Sequence, residues 1–374
     1  MLPGRRAWFQ KDILIKMKFN ILHITPDFNY ACGRSYYVYL LAKYLGKKHK
    51  VTVITNGGDS LERLEEKGIT YKILKGLKSK NPLTIAGNIS AIKDIISEND
   101  IDIVHTHHRL AEVLALQALK RIKKKKTVSV FTSLSIVKRK YNIEYRSDKI
   151  IAVSNSVKNM LLDKFSIDRD KISVINNFTD TDEIHELEII SPRMRDHGKF
   201  FIILAIGRFH NDKDFETLLK ALNILKKERI GLILVGEGNN DIDYRRYIAK
   251  NNLNVEIIVP QKNLLQYFLV ADLCVLPSTR DPFPNFMLQA GMHRVPFIGA
   301  NVDGIGELIK DRVNGLLFKA GDEKELAEKI LLFRGNKKLA EHCAVNLHED
   351  VLNNYTQEFI VPRIDHLYRS LIKR

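Results

Sequence analysis

The sequence predicts an α/β protein built of two doubly wound, parallel-sheet halves facing each other across a cleft. Three observations carry this. Strands and amphipathic helices alternate along nearly the whole chain, the mark of repeated βαβ units. The strands read as continuous apolar runs, the pattern of strands covered on both faces. The alternation breaks once, in a polar stretch near residue 190, and then restarts. At 374 residues the chain is also long for a single core.

The first convincing strand is "KFNILHITPDF", an apolar run stopped by Pro26. "GRSYYVYLLAKYLGKKHK" has helical periodicity with Gly33 at its start, and "VTVITNG" and "ITYKIL" are the next strands. A helix over "PLTIAGNISAIKDIISEND" leads into the strand "IDIVHTHH". The helix "LAEVLALQALKRIK", the strands "TVSVFTSL" and "KIIAVSNS", the helix "VKNMLLDKF" and the strand "KISVINN" complete the first half. "TDTDEIHELEIISPRMRDHGK" is polar and reads as the linker. Beyond it come "FFIILAIGRF", the helix "FETLLKALNILKKE", the strand "IGLILVGEG", the helix "YRRYIAKNN", the strand "VEIIV", the helix "NLLQYFLVA" and the strand "LCVLPS". "VPFIGA", "GIGELIK" and "NGLLF" follow, then the helix "DEKELAEKILLFRG" and two C-terminal helices. The expected division is an extension at 1–16, a first domain at 17–190 and a second at 191–352. In open α/β sheets ligands bind beyond the carboxyl ends of the strands, so two such domains make a cleft with walls from both.

Composition narrows the partners. An apolar content of 45% with 28% charged residues is globular, and no apolar run is long enough to cross a bilayer. The N-terminal stretch lacks the apolar core and cleavage site of a secretory signal. Three cysteines without metal spacing suit a reducing, cytoplasmic compartment. The net charge of +16 is uneven, with 33 Lys/Arg against 21 Asp/Glu in residues 1–190. The clusters "KGLKSK", "KRIKKKK" and "KRK" form either a solvated basic face or a contact with an anionic membrane. Nucleic acid is not an expected partner, because no aromatic residues interleave with the basic ones and no zinc finger or RNA-binding motif occurs.

Four stretches carry chemistry. In "FFIILAIGRF" the strand ends at Gly207-Arg208, with Lys213 five residues on; a planar fork and a point charge there suit a diphosphate, against an ordinary exposed turn. "LVGEG" places Gly236 and Glu237 at another strand end, a weak indication alone. "RDPFPNFMLQAG" sets Asp281 before a helix and Gln289 within it, with Pro284 expected in the first turn. The uncapped N–H groups of such a helix start attract anions. "VHTHHRL" brings His105, His107 and His108 to a strand's carboxyl end, where His107 or His108 can bond a sugar or phosphate; no cysteine or acid at ligand spacing supports zinc, and no metal is expected.

Taken in this order, "GRFHNDKDFETLLKAL", "LVGEG", "ADLCVLPSTRDPFPNFMLQAG", "GIGELIKDRVNGLLF", "DKIIAVSNSVKNML" and "ISVINN" resemble the retaining glycosyltransferases of family 4, of the GT-B fold, over nearly the whole chain from Met17. The resemblance implies a UDP- or GDP-type sugar donor as substrate, no cofactor, and a glycan acceptor held by the first domain; the basic first domain motivates a lipid-linked glycan acceptor at the inner membrane face. It implies Arg208 and Lys213 on the diphosphate, Asp281 on the sugar and Gln289 on the ribose; together with His107 from the histidine stretch, Asp281, Arg208 and Lys213 are the expected catalytic residues. Gly33, Gly207, Gly236, Glu237, Phe283, Pro284, Asn285 and Phe286 would line the donor. A helix at 353–374 would cross back to the first domain. Three positions depart from the family pattern. Asp281 and Gln289 replace two glutamates, Phe131, Thr132 and Ser133 stand where many relatives carry a histidine, and Asn177-Phe178 replaces "NG". These departures motivate the alternative of a weak or inactive homologue acting as a binding or scaffold protein.

Overall fold

The computed structural model describes residues 17–122, 127–137, 139–140, 143–182, 200–260, 262 and 264–372. The expected extension, most of the linker, and parts of the second and third basic clusters lie outside the described residues.

The first sheet holds seven parallel strands: β1 (Asn20–Ile24), β2 (Lys50–Thr55), β3 (Thr70–Ile73), β4 (Ile103–Thr106), β5 (Val128–Ser133), β6 (Lys149–Ala152) and β7 (Ile172–Val174), in the order β3-β2-β1-β4-β5-β6-β7. The second holds six: β8 (Phe201–Ile206), β9 (Ile230–Val235), β10 (Val255–Ile258), β11 (Leu273–Leu276), β12 (Phe297–Ala300) and β13 (Leu316–Phe318), in the order β10-β9-β8-β11-β12-β13. All pairings are parallel. The strand order reverses at β1/β4 in one sheet and at β8/β11 in the other. Chains leaving these neighbours diverge and open a crevice. Every candidate stretch lies on a loop that leaves one of the strands at or beside these reversals.

Helices α1 (Gly33–Leu45), α2 (Glu62–Glu66), α3 (Pro82–Glu98), α4 (Arg109–Leu119) and α5 (Asn155–Asn159) belong to the first half. Asn81 caps α3 by accepting the Leu83 and Thr84 N–H groups, with Pro82 at the first helical position, where its missing donor costs nothing. The expected "VKNMLLDKF" helix begins earlier, at Asn155 with Ser154 as its cap, and continues as a π-helical turn over Met160–Lys164. The short α2 was not expected; a single turn is too brief for a periodic pattern to register.

The second half contributes α6 (Phe215–Ile224), α7 (Asp241–Asn251), α8 (Leu265–Val270), α9 (Asn285–Met292), α10 (Asp303–Leu308), α11 (Glu323–Gly335), α12 (Lys337–Asn354) and α13 (Gln357–Ile372). Helix α13 leaves the second sheet. Its Ile360, Ile364, Leu367, Tyr368 and Leu371 are buried in one cluster with Tyr37, Leu41, Ile103 and Val130 of the first half. A further cluster runs through both halves, joining Phe131, Val157 and Leu161 to Phe286, Met287 and Ile305. The two halves are therefore in apolar contact behind the cleft, and polar at its mouth.

Candidate active site in the interdomain cleft

The cleft has a volume of about 540 Å³ and is walled by both halves. Its floor is built by the chain leaving β8 and β11. Lys213 is set by a turn in which its N–H donates to the His210 carbonyl at 2.9 Å, and its ammonium donates to the Asp281 carboxylate. Asp281 is 4% exposed. Its N–H donates to Asp303 Oδ2 at 3.0 Å and its carbonyl accepts the Gly304 N–H at 3.0 Å, so the backbone is pinned from both sides. Asp303 achieves this in the left-handed region, at φ 39°. Gly304 must be glycine, because a Cβ there would lie 2.0 Å from the Pro282 carbonyl oxygen.

Asp281 was expected to reach outward for hydroxyl groups. It is instead the partner of Lys213, and only Arg208 of the two expected cations is exposed without an ion-pair partner among the described residues. Pro284 is the N-cap of α9 in extended conformation rather than part of its first turn, and no side chain caps the helix. The N–H groups of its first turn thus remain available beside the cleft. Phe283 and Phe286 bury their rings, Phe283 against Tyr355 and Phe286 against Phe268 and Phe297, while contributing to the cleft wall. Gln289 lines the same wall, and its amide has no hydrogen-bond partner among the described residues. Gly33, Gly207, Arg208, Asn285 and Lys213 line it too.

Three expected residues do not. Gly236 is buried; a Cβ on it would sit 2.1 Å from the Gly207 carbonyl oxygen, so this glycine lets the β9 loop lie against the β8 loop rather than approach a ligand. Glu237 borders an adjoining pocket. His107 is 2% exposed, below the surface, with Nε2 at 3.0 Å from His23 Nδ1, whereas His108 reaches that adjoining pocket. His23, His105 and His107 bring ring nitrogens within 4.8 Å of one another. Burial lowers the His23 pKa to about 3, and burial together with the neighbouring rings lowers those of His105 and His107 well below the usual range. His105 has both nitrogens engaged, with Tyr368 Oη and Thr132 Oγ1 at 2.6 Å each. Neutral imidazoles can ligate a metal, but His105 already spends both nitrogens on Tyr368 and Thr132, and no carboxylate joins the trio among the described residues. It reads as a polar seam beneath the cleft.

The structure also places the departures. Thr132 serves this seam, Phe131 packs on Tyr145, and the cleft wall past β5 is Leu134, Ser135 and Ile136. Asn177 donates from Nδ2 to the Phe283 carbonyl at 2.6 Å, joining the first half to the loop before α9, and Phe178 is buried between Tyr37 and Tyr44. Asn285 makes a second link, donating to the Gly33 carbonyl at 3.1 Å. Sequence reasoning missed Asp303 and the aromatic wall of α1. Tyr36 and Tyr39 recur at i, i+3 in "SYYVYL", and the Arg63 guanidinium lies 5.5 and 5.6 Å from their ring centroids.

Residues 33–183 match the model for Glycosyltransferase Family 4, and residues 189–349 match that for Glycosyl transferases group 1. The chain belongs to the family 4 glycosyltransferases. The transferase is 24% identical to the capsular polysaccharide biosynthesis glycosyltransferase CapM of Staphylococcus aureus, over 63% of this chain and 67% of that protein. Its fold is that of a glycosyltransferase from Rickettsia africae, at a TM-score of 0.81, 24% identity, and coverage of 96% and 99% of the two chains. It is also that of Anabaena HepE, solved in complex with UDP and glucose, at 0.77 and 18% over 95% and 99%. The fold is therefore GT-B.

Proposed function

We propose that this glycosyltransferase moves a hexosyl unit from a UDP- or GDP-type sugar to a hydroxyl of a glycan or lipid-linked glycan acceptor, with retention at the anomeric carbon. The observation that carries the reading is the convergence of Arg208, the Lys213–Asp281 pair and the uncapped start of α9 on one cleft. Cations and N–H groups fixed in advance stabilise the charge that develops on a leaving diphosphate, and this needs no metal. Arg208 supplies a bidentate fork, Lys213 a point charge oriented by Asp281, and α9 the positive end of its dipole. Gln289 bonds the ribose hydroxyls through its free amide. As the bond from the anomeric carbon to the diphosphate oxygen breaks, its electron pair leaves with the diphosphate. The acceptor oxygen bonds from the same face, and its proton passes to the departing phosphate. HepE's complex with UDP and glucose, and CapM's place in capsule synthesis, support donor and acceptor classes of this kind.

The test is transfer from UDP- and GDP-sugars, with the product's anomeric configuration read by NMR. Retention is expected, and inversion overturns the mechanism. Lys213→Ala is expected to lower kcat/KM by about 100-fold or more. Nucleotide binding without turnover would assign the protein to the scaffold class instead. We place the transferase peripherally on an anionic membrane. No helix among the described residues is long and apolar enough to cross one, and Leu83 stands 83% exposed shortly after the basic cluster "KGLKSK" in the sequence. Equal flotation with neutral and anionic vesicles at low salt would refute this placement.

A further inference from the structure

A second pocket of about 550 Å³ adjoins the cleft and shares Ala31, Cys32, Arg34 and Arg208 with it. Loops from five strands build it. The β1–α1 loop brings Asp27 and the start of α1 brings Arg34, the β3–α3 loop Lys78, and the β4–α4 loop His108, while the β8 and β9 loops of the second half bring Arg208 and Glu237. The nucleotide reading uses only Arg208 of these.

The pocket is electrostatically unbalanced. Arg34 Nη2 and Lys78 Nζ both donate to one oxygen of Asp27, Oδ2, at 2.5 and 2.6 Å, and Arg34 Nε is held by Thr25 Oγ1 at 3.2 Å. Two cations thus share a single acceptor atom, and Arg34 Nη1 has no partner among the described residues. Arg208 adds a third cation with no ion pair there. His108 accepts the Leu110 N–H at Nδ1, 3.3 Å away, and burial together with Arg34 and Lys78 lowers its pKa to about 4. The ring is therefore neutral at pH 7 and, with Nδ1 accepting, carries its proton on Nε2 as one more donor. Donors and positive charge exceed what Asp27 and Glu237 neutralise, so a matching ligand brings oxygens and negative charge of its own.

We propose that this pocket binds an anionic group, phosphate or carboxylate, carried by the acceptor, so that the acceptor's hydroxyl extends past Arg34 toward the donor sugar. The word acceptor rests on the glycosyltransferase reading; the anion site does not. The position argues against its being the donor's own diphosphate site, since Lys213 and the start of α9 line the main cleft and Lys78 and His108 do not.

The experiment titrates the full chain with inorganic phosphate and, separately, with glucuronate, by calorimetry and thermal shift, with and without saturating UDP. At least one anion is expected to bind in the presence of UDP. Lys78, half-exposed on a loop, is a safe site to change. Lys78→Ala is expected to weaken that anion at least about tenfold while UDP binding shifts less than twofold, and Lys78→Glu to abolish anion binding. Phosphate alone binding assigns a phosphorylated acceptor, and glucuronate alone an acidic sugar. Loss of both anions on adding UDP, no binding of either, or no effect of the Lys78 variants would overturn the proposal. If phosphate binds and UDP does not, the donor reading fails while the anion pocket stands.

Discussion

Glu112 on α4 has no exposed surface, yet its carboxylate accepts four hydrogen bonds, from the N–H groups of Tyr145, Arg146 and Ser147 and from Ser147 Oγ, at 2.6–3.0 Å. Burial raises its pKa, and these donors work against that rise. Glu112→Ala would leave three backbone donors without their acceptor, and is expected to cost about 3–5 kcal/mol in urea unfolding. Glu112→Gln keeps an acceptor oxygen and should cost less. Gly304 is the comparable position behind the cleft wall, against the loop that carries Asp281 and Pro282. Gly304→Ala forces its Cβ into Pro282, displaces the backbone that holds Asp281, and is expected to weaken UDP binding about tenfold or more while the far-UV circular dichroism is unchanged.

At the scale of elements, α5 and α10 meet across the two halves. The Glu307 carboxylate of α10 accepts the Asn155 N–H at 2.9 Å, the Ser156 N–H at 2.7 Å and Ser156 Oγ at 2.7 Å, so a helix in one half is capped by an acid from the other. Glu307→Ala is expected to cost about 1 kcal/mol of stability and to increase amide exchange in the first turn of α5, through loss of both cap and dipole partner. The same elements indicate what the sequence could and could not convey. Strand ends were legible because "GRF", "LVGEG" and "LCVLPS" each pair a buried run with a breaker, and that put Arg208, Lys213, Asp281 and Gln289 on one cleft. That Lys213 would be paired with Asp281 was not legible, since the two lie 68 residues apart and only the β8/β11 reversal brings them together. For His107, alternation gives a face, but not whether that face meets the cleft or packs inward on His23 and Tyr37.

For the molecule as a whole, the histidines govern the response to acid. His23, His105, His107 and His108 all have pKa values lowered in the fold from 6.5, His23 to about 3 and His108 to about 4, chiefly through burial. Above pH 7 neither the folded nor the unfolded chain protonates these rings, and the stability they allow is fully present. As pH falls through 6.5 the unfolded chain takes up protons that the fold refuses, so stability declines continuously toward pH 4. With the three innermost rings each contributing one proton, the slope approaches about 4 kcal/mol per pH unit. Urea midpoints at pH 8, 6.5 and 5.5 are expected to fall in that order, and a flat profile would contradict the buried neutral trio.

Helix α13 bears on how the protein is made. Its Tyr368 hydroxyl contacts His105 at the centre of the first sheet, and its apolar face completes that sheet's core. Everything else in the first half leaves the ribosome long before residues 357–372 do. The nascent first half must therefore wait, with the surface around Tyr37, Leu41 and His105 uncovered, while the whole second half is translated. Its closure is therefore deferred until the second half has been made, and in that interval the uncovered apolar surface is open to misassociation.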